Sequence, residues 1–127
     1  MERYLIDTNV IANYTSEKFS EKAMIFLSEV IDEMPYISVI TKIEALSWRS
    51  DIIQEEYIVK SFVDSLNIIT LSDMIVDECI AIRRNFKMKT PDAIIAATAT
   101  VHDFTLLTSD TDFNRIPYIK VINPFDI

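Results

Sequence analysis

Lys89-Thr90-Pro91-Asp92-Ala93-Ile94-Ile95-Ala96-Ala97-Thr98-Ala99 opens on a hydroxyl, a proline and an acid, then turns to small and branched apolar residues. A Thr hydroxyl can cap a helix start, proline pre-sets φ for the first turn, and an acid there meets the positive end of the dipole. The spacing predicts a helix beginning at Thr90, and its alanine-rich surface can approach a sheet closely. The chain around it supplies the sheet. Tyr4-Leu5-Ile6, Tyr36 to Ile40, Asn67 to Thr70, Thr105 to Thr108 and Tyr118 to Ile122 read as five short strands.

Helical patterns separate those strands. Ser20 to Met34 places Ala23, Phe26, Leu27, Val30, Ile31 and Met34 on one face, and Pro35 ends it. Thr41 to Trp48 and Asp51 to Ser65 follow, and Ser72 to Phe86 turns Ile75, Cys79 and Ile82 inward. Strands alternating with helices imply an α/β sandwich around a mainly parallel sheet. No linker, repeat or low-complexity tract interrupts the pattern, so residues 1–127 are expected to form a single domain.

Composition removes several chemistries. The chain has 127 residues and no glycine, where average usage would supply roughly 9. Dinucleotide turns, Walker-type phosphate loops, the G-x-S-x-G nucleophile elbow and EF-hand loops all need glycine's backbone freedom. Cys79 and His102, one of each type, exclude an internal disulfide and a His/Cys zinc cluster. The short apolar start at Tyr4 carries no signal peptide and no membrane-length run, so a soluble, cytoplasmic protein is expected.

What remains is acid. Ligands of an open parallel sheet sit beyond the carboxyl ends of its strands. Asp7 ends the first strand, Glu44 opens the helix after the second, and Asp110 and Asp112 follow the fourth, with Asp92 opening the helix before it. Carboxylates converging without a base repel one another, and Mg²⁺ or Mn²⁺ relieves that repulsion. Each acid alone also has a capping reading. Thr41-Lys42-Ile43-Glu44 matches a capping box, and Asp7, Asp92 and Asp112 each precede or open a helical turn. Independent capping gives no reason for all of them to share one edge of the sheet.

Leu5-Ile6-Asp7-Thr8-Asn9-Val10 resembles the first motif of PIN-domain ribonucleases. The Lys89 to Ala99 stretch resembles their third motif, and Leu107-Thr108-Ser109-Asp110-Thr111-Asp112-Phe113 their last. Glu44 matches the second. Together these motifs span essentially the whole chain, and its small size resembles the toxins of VapBC-type toxin–antitoxin pairs. The resemblance implies a three-layer α/β/α sandwich and metal-dependent endoribonuclease activity. It implies that Asp7, Glu44, Asp92 and Asp110 are the catalytic, metal-binding acids, with Thr8, Asn9, Thr108 and Asp112 in support. In that scheme one or two Mg²⁺ or Mn²⁺ ions activate a water for in-line attack, leaving a 5′-phosphate and a 3′-hydroxyl. A haloacid-dehalogenase-type phosphatase would want a second acid where Asn9 stands, and a pure binding module has no need of all four acids.

The charge balance bears on partners. With 12 basic and 20 acidic residues the net charge is −8, the wrong sign for non-specific RNA binding. Setting aside the four proposed ligands leaves −4. Arg83, Arg84, Lys87 and Lys89 cluster just before Asp92 and are candidates for guiding a phosphate backbone, with Lys42 and Arg49 weaker ones. The resemblance also implies a small basic antitoxin, for which an acidic surface favours encounter, and a homodimer or toxin–antitoxin hetero-oligomer. Trp48, Tyr57 and Phe62 are candidates to line the receiving groove or a dimer face. His102 reads as a helix-end residue and Cys79 as core. Asp103, Asn85 and Asn67 are expected to take the left-handed turns that glycine usually takes.

Overall fold

A computed structural model describes residues 2–127. Five strands, β1 (Tyr4–Ile6), β2 (Tyr36–Ser38), β3 (Asn67–Ile69), β4 (Thr105–Leu107) and β5 (Lys120–Ile122), form one sheet in the order β3-β2-β1-β4-β5. Every neighbouring pair is parallel. Six helices connect them: α1 (Thr8–Thr15), α2 (Glu21–Asp32), α3 (Val39–Ser47), α4 (Ile53–Asp64), α5 (Asp73–Asn85) and α6 (Thr90–His102). Two 3₁₀ turns, Thr111–Arg115 and Pro124–Asp126, complete the chain.

Alternation along the central strands builds the three layers. Leu5 and Leu106 face one core with Ile75, Cys79 and Ile82 of α5 and the alanines of α6. Ile6 and Leu107, one residue on, face the other with Val10, Leu27 and Val63 of α1, α2 and α4. In α6, Ala93, Ile95, Ala96, Ala97, Thr98 and Ala99 are all buried, which a helix pressed against both sheet and α5 requires.

The strand order fixes where a site can form. From β1 the chain builds outward through β2 and β3, then returns to pair β4 on β1's other side. The crevice beyond the carboxyl ends of β1 and β4 is therefore the switch point of the sheet. Helices crossing back over a parallel sheet run against the strands, so α3 and α6 begin at that same edge.

Several helix starts differ from the sequence expectation. Lys89 holds the cap position of α6 in extended geometry with no side-chain hydrogen bond, so Thr90 is the first helical residue rather than the cap. Helix α3 begins at Val39, because the Ser38 hydroxyl accepts from the Ile40 N–H and ends β2 early. Thr41 and Glu44 therefore lie within α3 and form no capping box. The Thr41 hydroxyl is buried without a partner, and Glu44 stands in the second turn.

Left-handed turns also fall partly elsewhere. Asp103 has φ 54° and ends α6, with the Phe104 N–H reaching back to the Ala99 carbonyl. The other positive values belong to Glu17 and Met34, not to Asn67 or Asn85, which lie in β3 and α5. Glu17 closes α1 in the same way, with Lys18 N–H on the Asn13 carbonyl at 2.9 Å. The ends of α1, α2 and α6 take this conformation with whatever residue stands there, while α3, α4 and α5 end without it.

Candidate functional site

Asp7 is the centre of the switch-point crevice. Its backbone N–H completes the β1–β4 ladder on the Leu107 carbonyl, so the strand pairing places its side chain. It also caps α1: Oδ1 accepts from the Thr8 N–H at 2.8 Å. Oδ2 accepts from Thr108 Oγ1 at 2.8 Å and Asn9 Nδ2 at 3.0 Å. Such donors favour a carboxylate, yet burial outweighs them, and the charges of Asp92 and Glu44 add to it. The Asp7 carboxyl is pushed up to about 6.

The supporting residues form one chain of contacts around it. Thr108 Oγ1 accepts from Asn9 Nδ2 and from the Asp110 N–H, both at 3.1 Å. Asn9 Oδ1 accepts from the Ser109 N–H at 3.0 Å, tying the loop after β4 to α1. Thr8 Oγ1 donates to Glu44 Oε1 at 2.7 Å, which brings the α3 acid to the edge of the crevice. Thr8, Asn9 and Thr108 are thus hydrogen-bonded to the acids or to the loop that bears them.

Asp110 caps the Thr111–Arg115 turn by accepting the Asp112 N–H at 2.9 Å, so Asp112 is capped rather than capping. One carboxylate oxygen each of Asp92, Asp110 and Asp112 lie within 4.8 Å of one another. The Asp92 carboxyl is raised by burial first and then by Asp110, Glu44 and Asp112, with Lys89 opposing. Oxygens about 2.1 Å from one octahedral ion stand about 3–4 Å apart. The donor set is all oxygen and already crowded, which fits a hard divalent cation.

Comparison with known proteins bears on the family and the fold. The PIN domain family model matches residues 4–118. The chain belongs to the PIN domain family. A solved toxin–antitoxin complex from Klebsiella pneumoniae contains a chain 30% identical to it, with TM-score 0.75, covering 98% of this chain and 99% of that one. The DNA-bound VapBC of Salmonella typhimurium has the same fold at TM-score 0.83 and 20% identity, covering 98% and 99%. VapBC2 of Rickettsia felis, bound to promoter DNA, gives 0.78 at 22% identity, covering 94% and 97%. A search of curated proteins gives no match.

Within this PIN fold the basic residues divide. Lys89 acts on Asp92 from the α6 cap, and Lys87 lends its carbonyl to Arg115. Arg83 and Arg84 instead line a hollow on the outer face of α5 and α6 whose lining contains no acid. Arg115 had no part in the sequence reading. It joins Asp112 at 3.3 Å and Lys87, so the loop before α6 is tethered to the acid-bearing turn. Its i,i+3 spacing from Asp112 signals that ion pair alone, and the bond to Lys87 has no local signal.

Beside the acids runs a cavity of about 490 Å³ lined by Thr8, Glu44, Ile11, Ile58 and Val59 of α1, α3 and α4 and by Trp48 at the end of α3. Trp48 also borders a second hollow with Ile53 and Tyr57. Phe62 lines neither and packs on Tyr14, with ring centroids 5.4 Å apart. His102 lies at the far edge of the sheet, stacked on Phe104. Among the described residues, no helix is long and apolar enough to cross a membrane.

Proposed function

We propose that this PIN domain is a Mg²⁺- or Mn²⁺-dependent endoribonuclease and the toxin of a type II toxin–antitoxin pair. The observation that carries the reading is the gathering of Asp7, Glu44, Asp92, Asp110 and Asp112 at the switch point, where Asp7 and Asp92 are raised partly by neighbouring acids. Raised carboxyls gathered in a crevice mark a functional site, and a divalent counter-ion would relieve their repulsion. Asp7, Glu44, Asp92 and Asp110 would hold the cation, which supplies an activated water and charge neutralisation for in-line phosphodiester hydrolysis.

The chain's own residues prepare that chemistry. Thr108, Asn9 and the Thr8 N–H fix the Asp7 carboxylate in one orientation. Thr8 holds Glu44 towards it, and the Asp110 cap holds the third acid through its own backbone turn. Asp112, shared with Arg115, stands ready as a further oxygen donor. Lys87 and Lys89 meet the RNA backbone at the entrance to the crevice, where a cation counts for most against the chain's net −8.

The partner follows from the neighbouring surface and from the relatives. The Klebsiella and Salmonella structures are toxin–antitoxin assemblies. The Trp48-lined cavity is mainly apolar, with Glu44 and Glu55 outnumbering Lys18 among its charged residues, so it suits the apolar face of a basic antitoxin segment, in a hetero-oligomer formed in the cytoplasm. Purified chain supplied with Mn²⁺ should cleave RNA to 5′-phosphate ends and bind the ion in titration calorimetry. Absence of both cleavage and binding overturns the reading. Binding without cleavage overturns its enzymatic half. Expression should arrest growth, and Asp7→Asn should abolish the arrest.

A further inference from the structure

Thr15, Thr98 and Thr100 each donate their hydroxyl to the carbonyl four residues back, those of Ile11, Ile94 and Ala96, at 2.9, 2.7 and 3.0 Å. Thr41 does not. Helix α3 begins at Val39, so the residue four back from Thr41 is Ile37, inside β2, and its carbonyl belongs to the strand rather than to a helical turn. Thr41 is fully buried. Among the described residues its Oγ1 is the one buried side-chain nitrogen or oxygen without a hydrogen-bond partner. A buried hydroxyl costs stability unless it is hydrogen-bonded, so this one calls for an acceptor.

Helix geometry narrows the acceptor. At about 100° per residue, Glu44 and Thr41 lie about 40° and about 100° round α3 from Ile40, and Ala45 about 140°. Ile40 packs against the core of α5 and α6, and Ala45 belongs to the core of α1, α2 and α4. Thr41 and Glu44 therefore share the arc between the two cores. On that side Thr8, the residue after Asp7, donates to Glu44 Oε1 at 2.7 Å. Helical side chains lean towards the N-terminus of their helix, so Glu44, one turn on, leans over Thr41. Asp7 already accepts from Thr8, Asn9 and Thr108. Thr8 occupies one oxygen of Glu44 and leaves Oε2 to another donor.

We propose that Thr41 is a positioning residue of the acid site, a role that rests on the divalent-cation reading given above: its hydroxyl donates to Glu44 Oε2 in the cation-loaded protein. Asp7 is buried and Asp92 and Asp110 are half-buried, whereas Glu44 is exposed and carries the longest side chain of the four. It has the most freedom to lose on taking up a ligand geometry. Two hydroxyls, one from α1 and one from α3, restrict it to one orientation, and partners that orient a metal ligand raise the affinity of its site.

The test is Mn²⁺ affinity of the full chain by titration calorimetry, paired with urea unfolding of the ion-free protein. Thr41→Val keeps the shape and removes the hydroxyl. It should weaken Mn²⁺ binding about 10-fold or more, the range for losing a group that orients a metal ligand. Its urea midpoint should be equal to the wild type's or higher, since no hydrogen bond is lost from the ion-free fold. Thr41→Ser keeps the hydroxyl and loses a buried methyl, so it should lower the midpoint yet bind Mn²⁺ within about 3-fold of the wild type. On a Glu44→Gln background, Thr41→Val should change the affinity by less than about 2-fold, because both substitutions then act through one group. Wild-type affinity in Thr41→Val, equal losses in Thr41→Ser and Thr41→Val, or a further loss of about 10-fold on the Glu44→Gln background overturns the proposal. A wild type that binds no Mn²⁺ overturns the cation reading and this role with it. A wild type that binds, with a Thr41→Val that binds equally, overturns this role alone.

Discussion

At the carboxyl edge of the sheet, Asp7 is 5% exposed and faces the charges of Asp92 and Glu44. At the opposite edge, Phe104 is 3% exposed and stacks between Tyr36 at 4.8 Å and His102 at 5.3 Å. There the Arg3 guanidinium lies 4.9 Å over the Phe104 ring and donates to the His102 carbonyl. Both edges close the same β1–β4 pair. One holds like charges together and is raised in energy by them, whereas the other joins apolar rings, a cation and a satisfied carbonyl. The far edge carries no such repulsion, and the near edge gives up some stability to keep its acids together.

The largest expected break in that contrast is functional. Asp92→Asn should lower RNA cleavage by about 10³-fold or more, the scale on which a preorganised electrostatic group acts. Its melting temperature should be equal to the wild type's or higher, because the substitution removes one of the repelling charges. A gel-based cleavage assay and a thermal melt on one preparation decide it. Lost activity with a large fall in melting temperature would make Asp92 a structural residue and erase the difference between the edges.

The near edge was legible in the sequence because its acids sit on features with strong local signals: a strand end at Asp7, a proline-started helix at Asp92 and a loop after a strand at Asp110. Glu44 was placed in the right element but the wrong turn. Thr41-x-x-Glu44 is locally indistinguishable from a capping box, and Ser38 had already taken that duty three residues earlier. Arg115 was missed because its role depends on the loop before α6 folding against the turn that carries Asp112, a contact no spacing encodes. Asn67 and Asn85 failed as left-handed residues for a related reason. The demand comes from where a helix ends, and residue preference only decides how well it is met.

The far edge should respond in the opposite sense. Phe104→Ala is expected to cost about 3–5 kcal/mol, the range for deleting a buried aromatic ring, while metal binding at the other edge is retained in the surviving folded fraction. Urea unfolding measures the first and titration with Mn²⁺ the second. A cost below about 1 kcal/mol would mean that the Tyr36–Phe104–His102 stack contributes little beyond shape.

The near edge also makes stability depend on pH. The folded-state Asp7 carboxyl titrates at about 6, above its ordinary 3.8. Between these values the native chain binds the proton and the unfolded chain does not. Its contribution to stability is therefore present below the unfolded value and is lost as pH rises through 6. Without divalent ions, lowering the pH from 7 to 4 should raise stability by about 2 kcal/mol from this group alone. The comparison is with Asp7→Asn, whose urea midpoints should lack that rise. Saturating Mn²⁺ should flatten the wild-type curve as well, since a cation then does what the proton did. Equal pH slopes with and without the Asp7 carboxyl would show that burial there is uncompensated by protonation.

The smallest effect tests how a chain without glycine closes its helices. Asp103 has φ 54° and ψ 46° at the end of α6, immediately before Phe104. A β-branched side chain in this conformation meets the following carbonyl, so Asp103→Val should cost about 1–2 kcal/mol. Asp103→Gly relieves the same contact and gives part of the gain back as unfolded-chain entropy, leaving a change below about 1 kcal/mol. The closing hydrogen bond from the Phe104 N–H to the Ala99 carbonyl, 2.9 Å, should persist in both and can be followed by amide exchange. If Val is tolerated as well as Gly, the left-handed turn is not held by that bond. The far edge would then owe its stability to ring packing alone.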